Sequence, residues 1–278
     1  MPSARKYTGR MLTLELAMVA FALLFLSPFY FVLANSFKSM GEIYRNSASL
    51  PGVLRWENYA KAWEVLNFLQ VSGNTLIVTL FGTVGISLIT AMAAYRIVRF
   101  PTRFNRFVFA MYIAAIVVPF QAVMLPMVKL LGMLDIINTI PGLIFAYYGL
   151  GTAFATFLFS GFVKSLPYEI EESAIVDGCS PYGVFWRIVF PLLRPMTATT
   201  LILNVMWLWN DFLLPLLLIH KPELRTIQLA VYSLFGEFIK RWDVGLAALV
   251  MSMVPIIVFF LLLQRHVIEG ISAGAVKG

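Results

Sequence analysis

Two polar clusters interrupt a chain that is 60% hydrophobic. The first is NVMWLWNDF at 204–212, where Asn204, Asn210 and Asp211 supply amide and carboxylate groups beside Trp207. Such groups hydrogen-bond hydroxyls, and an indole offers a flat apolar surface, so the set suits a hydroxyl-rich ligand on a translocation path. Asn204 and Asp211 lie seven positions apart, about two helical turns, and would share a face with Trp207 and Leu208 between them. The plainer alternative for a carboxylate at that depth is an interhelical hydrogen bond or a place near the membrane interface.

The second cluster is PYEIEESAIVDGCSPYGVFWRIVFP at 167–191. It reads as helix, break, helix. Pro167 fits a first helical position, and Glu169, Glu171 and Glu172 favour the positive N-terminal end. Gly178 can take positive φ and end that helix. Ser180 can cap a second helix opened by Pro181, and Pro191 should bar its continuation. Ile170, Ala174 and Ile175 form a short apolar set able to bury in a partner groove, with the glutamates as rim contacts. The alternative, an amphipathic loop lying on the bilayer, suits so acidic a helix badly.

Neither cluster holds a nucleophile–base constellation, and His220 and His266 are far apart, so no catalytic residue and no metal site is expected. No G-x-x-x-x-G-K-[ST] loop occurs either. If transport is driven by nucleotide, the ATPase must be another chain.

The remainder of the chain must position these clusters. It has 278 residues, a mean hydropathy of +0.84, and far more apolar residues than the roughly 45–50% of a soluble domain. Apolar runs at 12–34, 74–95, 107–130, 142–163, 197–219 and 244–263 are each long enough to cross a bilayer as a helix. These predict an all-α polytopic membrane protein of about six spans in a single domain. The loop 164–194 lies between spans four and five, and a tail covers 265–278. The first run lacks a convincing small-residue cleavage site, so no cleaved signal peptide is expected. The lone Cys179 leaves the redox compartment open.

The net charge of +7 reads as loop charge and phospholipid contact rather than nucleic-acid binding. Twelve of the 21 Lys and Arg fall on the N-terminus, the loops 96–106 and 164–194, and the tail. The short loop with Arg96, Arg99, Arg103 and Arg106 carries no acid and should resist translocation. Both termini and the loop 164–194 are therefore expected in the cytoplasm. Thr79, Thr83, Ser87 and Ala91 recur every fourth residue, a small-residue face suited to close helix packing and, as a second use, to lining a path. Pro119 and Pro126 are expected to kink the third span.

Glu172, Ser173, Ala174, Gly178, Ile188, Phe190 and Pro191 follow the spacing E-S-A-x3-G-x9-I-x-F-P. This resembles the E-A-A-x3-G-x9-I-x-L-P signature of ABC importer permeases, with two mild departures. The likeness extends over nearly the whole chain to the smaller permease subunit of the maltose-type carbohydrate uptake branch. It is carried by NSFK (35–38), ENY (57–59), AAY (93–95), RFP (99–101), NTIPGL (138–143), WNDF (209–212) and the tail from Gln264.

The resemblance implies a heterodimer with a second, homologous permease and two ATP-binding subunits that hold ATP and Mg, this chain binding no cofactor itself. It further implies an extracytoplasmic solute-binding protein, a sugar substrate, and residence in a bacterial or archaeal cell membrane. Glu169, Glu172, Ala174, Asp177, Gly178, Ile188 and Pro191 would couple this chain to an ATPase. The tail would reach the ATPase pair, and the loop 220–243 would face the binding protein. An ion-coupled secondary carrier is the competing reading. It would need several intramembrane ionisable residues, where only Asp211 is evident.

Overall fold

The computed structural model describes residues 9–235 and 241–275, with side chains as far as Gln264. Arg5, Lys6 and Lys277, the tail's side chains, and positions 236–240 of the loop 220–243 lie outside the described residues.

The described residues form helices and no strands: α1 (Gly9–Ser36), α2 (Met40–Arg45), α3 (Glu57–Leu66), α4 (Phe68–Arg99), α5 (Arg103–Val117), α6 (Phe120–Met133) and α7 (Ile140–Ser165). There follow α8 (Glu169–Val176), α9 (Pro181–Leu192), α10 (Arg194–Asn210), α11 (Leu213–Leu218), α12 (Ile227–Leu234) and α13 (Trp242–Ala275). Four helices are long and apolar enough to cross a membrane, and six spans result if two bent pairs each count as one. The chain is thus an all-helical, multi-pass membrane protein.

Two predicted spans are broken. Over 107–130 the chain forms α5 and α6, which meet at 113°. Val118 is extended, as the residue before a proline prefers, and Pro119 is the N-cap of α6. Pro126, by contrast, lies within α6 without ending it. Over 197–219 the helix stops at Asn210, and Asp211 is extended at ψ 133°. Pro215 would clash with the carbonyl four residues back, which is that of Asp211. Asp211 Oδ1 accepts the Leu213 N–H at 3.2 Å, a local bond that competes with helix continuation. Asp211 therefore does not share a helix face with Asn204.

Residues Asn67–Ala230 and Val254–Gly278 make up one compact unit. Within it, α4 packs along α7 and α10. Thr79, Thr83, Ser87 and Ala91 are all buried there, the packing use of that face. The start of α7 is tightly built. Thr139 Oγ1 accepts the Gly142 N–H at 3.0 Å, and Gly142 lies so near the Ile136 carbonyl that any Cβ would overlap it. Asn138, at φ 62°, uses its Oδ1 to accept the N–H groups of His220 and Lys221, both at 2.9 Å.

The other unit, Met1–Leu66 with Val231–Met253, holds a knot around Lys38, which is fully buried. Its Nζ donates to the carbonyls of Asn46 (3.1 Å) and Ser47 (3.2 Å) and to Ser49 Oγ (3.4 Å). Asn58 Nδ2 donates to the carbonyls of Ser36 and Lys38, each at 2.9 Å. NSFK and ENY are thereby tied together. A Lys38→Met variant removes the charged donor that gathers this turn, leaving the Asn46 carbonyl to Ser49 Oγ and the Ser47 carbonyl to Asn35 Nδ2, at about 1.5–3 kcal/mol for a hydrogen bond to a charged group. It is expected to expose the segment 39–58 to protease in sealed membranes where the wild type resists.

Candidate functional site

The loop 166–193 is docked on the ends of α4 and α7. α8 begins at Glu169 with Tyr168 as N-cap, two residues later than Pro167 would place it. With 3.6 residues per turn, Glu171 and Ala174 share one face and Glu169, Glu172 and Val176 point elsewhere. The structure follows that division. Glu171 is 3% exposed, whereas Glu169, Glu172, Asp177 and Gly178 are exposed, as are Ile170, Ile175 and Val176. Ala174 packs into this chain's own apolar cluster. Neither Glu171 nor Ala174 therefore belongs to the free face, which corrects both assignments. The apolar residues left on that face are Ile170, Ile175 and Val176.

Glu171 reaches α4. Its Oε1 accepts from Arg99 Nε and Nη2, both at 2.7 Å, and its Oε2 accepts from Tyr95 Oη at 3.0 Å. Arg99 Nη2 also donates to the Leu166 carbonyl at 3.0 Å. Tyr95 and Arg99 are one turn apart on α4, so both meet the same carboxylate. Sequence reading missed this triad. Its one available signal was a tyrosine and an arginine at i, i+4 closing an apolar run.

The α8–α9 turn is a Schellman motif. The Gly178 N–H bonds the Ile175 carbonyl at 3.0 Å and the Cys179 N–H bonds that of Ala174 at 2.9 Å, with Gly178 at φ +83°. Ser180 Oγ then accepts the Gly183 N–H at 3.2 Å, the expected cap. Pro191 does not end α9, which runs on to Leu192. The stretch Val184–Val189 widens to a π-helix, and the Phe190 N–H reaches Phe185 rather than Trp186. Pro191 follows directly on that wider turn, and the helix passes through it. The chain then turns by 71° into α10. Val184, Phe185, Val189 and Leu193 bury against Ala91, Ala94, Phe159 and Val163, fixing the loop to α4 and α7. Ile188 and Pro191 are half-buried.

The first cluster, at 204–212, lies at a cavity of about 670 Å³ between α5, α6, α7, α10 and α11. Its wall is almost wholly apolar, with Phe145, Leu150 and Phe154 among the lining, and Trp207 and Asp211 belong to it. Asp211 Oδ2 accepts from Tyr147 Oη at 2.8 Å, and the Tyr147 ring meets Trp207 edge-on with centroids 5.5 Å apart. Asn204 is buried away from this wall, and exposed Asn210 turns its Nδ2 back to the Met206 carbonyl at 2.7 Å. Of the four candidate path residues, two reach the cavity. Tyr147, which pins Asp211, gave no signal among the many aromatics of its span. No group of metal-ligating side chains occurs among the described residues.

Residues 83–272 match the family described as "Binding-protein-dependent transport system inner membrane component". The chain is 39% identical over 259 residues to the "Probable starch degradation products transport system permease protein AmyC" of Thermoanaerobacterium thermosulfurigenes, covering 93% of this chain and 94% of that one. It is 34% identical to the "Melibiose/raffinose/stachyose import permease protein MelC" of Bacillus subtilis over the full length of both. In fold it is similar to a chain of a bacterial ABC transporter involved in import of the acidic polysaccharide alginate. There the TM-score is 0.79 at 21% identity, over 94% of this chain and 99% of that chain.

Proposed function

The chain belongs to the family of binding-protein-dependent transport system inner membrane components, and we propose that it is one of two membrane-spanning permease subunits of an ATP-driven importer of sugars or oligosaccharides. It is a transport permease rather than an enzyme, and in such systems separate ATPase subunits hydrolyse the ATP. One observation carries the reading. A short helix is fastened to the ends of α4 and α7 by its buried face, yet it leaves Glu169, Ile170, Glu172, Ile175 and Val176 free. An apolar set rimmed by acids, held on a rigid base, suits insertion into a groove of another protein.

In this reading the loop and both termini face the cytoplasm of a bacterial or archaeal cell, and two ATPase subunits with ATP and Mg dock below. Glu169, Glu172 and Asp177 meet one ATPase, Gly178 sets the elbow, and Ala174, Ile188 and Pro191 hold the helices in place. A homologous second permease completes the path, and a solute-binding protein delivers sugar to the far side. The alginate transporter has been described with an oligosaccharide-bound periplasmic protein, which supports such a partner here. ATP binding drives alternating access by favouring one of two arrangements. Asp211 and Trp207 are the path residues on this reading.

Co-expression with a candidate second permease, ATPase and solute-binding protein tests it. The expected result is a co-purifying complex that takes up sugar into proteoliposomes only with ATP and the binding protein. Uptake driven by an ion gradient, with no ATPase retained, would overturn it in favour of a secondary carrier.

A further inference from the structure

The buried Glu171 carboxylate stands apart from the acids of the free face. It is 3% exposed and the Arg99 side chain 11%. The guanidinium spends its remaining Nη2 donor capacity on the Leu166 carbonyl at 3.0 Å, where the chain leaves α7. Its plane also lies 5.5 Å from the Tyr168 ring, at the N-cap of α8. One arginine thus ties the end of α7, the start of α8 and the end of α4. The glutamate is tied in turn by two contacts from Arg99 and one from Tyr95. The Tyr95 ring meets Phe185 of α9 at a tilt of 46°, with centroids 5.2 Å apart, so the same residue grips both helices of the loop.

We propose that Arg99, Glu171 and Tyr95 form a permanent latch that makes α8 and α4 one rigid body, so that displacement of α8 by its partner is delivered directly to the central helix α4. They are positioning residues and touch neither substrate nor ATPase. This rests on the importer reading above.

The physical reason is the contrast between attachment modes. Apolar contacts alone allow a short helix to slide, because dispersion and burial are non-directional. Two guanidinium donors converging on one carboxylate oxygen, with a phenol on the other, fix both distance and orientation. Breaking one partner of a buried pair strands the other charge, so the latch holds or fails as a unit. α4 is also the helix against which α7 and α10 pack. A push on α8 that reaches α4 therefore reaches the middle of the unit.

The test uses the complete transporter, permease pair, ATPases and binding protein, in proteoliposomes. Arg99→Ala and Glu171→Gln are expected to keep ATP hydrolysis while sugar transported per ATP falls by about tenfold or more, in line with loss of a buried pair. Arg99→Lys, which retains charge but not the fork, should fall between. A covalent substitute separates linkage from folding. Arg99→Cys with Glu171→Cys, in a Cys179→Ser background, should be uncoupled until a short bis-maleimide, adding one thiol at each end, joins them, and coupled afterwards. Spin labels on exposed Met92 of α4 and Val176 of α8 should hold one distance with and without ATP.

A wild-type ratio of sugar to ATP in Arg99→Ala would overturn the proposal. So would a crosslink that abolishes uptake, or a Met92–Val176 distance that changes with nucleotide. If wild-type protein shows no ATP-dependent uptake at all, the importer reading fails instead.

Discussion

Replacing Gly178 with valine is expected to leave the protein inserted and its partners bound while sugar uptake per ATP falls at least about tenfold, a strain of about 1–3 kcal/mol at one residue being sufficient. The residue sits at φ +83° and closes the turn between α8 and α9. A Cβ there would meet nothing within 4 Å. The effect must therefore come from the backbone, because a β-branched side chain disfavours this region, and not from a clash. That gives the substitution series a fixed order. Asparagine, which tolerates the left-handed region, should retain most coupling, alanine less and valine least. The readout is the ratio of sugar uptake to ATP hydrolysis in proteoliposomes. If valine and asparagine behave alike, the elbow is not set by the φ of this residue. If hydrolysis and uptake fall together, the turn serves docking rather than transmission.

Much of the fold was legible because membrane spans obey a coarse rule: long apolar runs must be helical in lipid. The bends were harder, since proline acts through what surrounds it. Pro119 breaks its span, Pro126 does not, and Pro191 is absorbed by a π-helical turn. Spacing alone cannot distinguish these cases, because each depends on whether a neighbouring turn can widen or a carbonyl can find another partner.

The loop 164–194 was readable as two helices with a glycine elbow. Its division into a docked face and a free face was not. Three glutamates in four positions look equivalent until α4 supplies a guanidinium for one of them. The short stretches that carried the family resemblance prove to be fasteners between distant segments. Asn58 of ENY clamps the carbonyls of Ser36 and Lys38, and Asn138 of NTIPGL accepts from His220 and Lys221. Tyr95 of AAY and Arg99 of RFP hold Glu171. Each is a polar group whose partner is remote in sequence, so its type is visible in one chain and its use is not.

Asp211 poses the same question with a functional edge, and two substitutions answer it. Its Oδ1 accepts the Leu213 N–H and its Oδ2 accepts Tyr147 Oη, so the carboxylate is already a structural joint at the broken helix. Asp211→Ala leaves both donors without an acceptor, the phenol being fully buried, at about 1–3 kcal/mol each. That variant is expected to lose assembly and uptake together. Asp211→Asn behaves differently. Its amide oxygen can accept from Leu213 while its NH2 donates to the Tyr147 oxygen, reversing one bond and conserving the joint. The charge is lost, together with the acceptor of the Tyr147 phenol proton. If the carboxylate also meets sugar hydroxyls at the cavity wall, asparagine should assemble normally and lower uptake by about tenfold, the value of a hydrogen bond to a charged group. Because the binding protein sees the same sugar, the loss should appear in the transport rate and not in stimulation of the ATPase. Wild-type uptake by Asp211→Asn, alongside failure of Asp211→Ala, would assign the residue to the scaffold. Trp207 would then be the sole member of the original four left on the path.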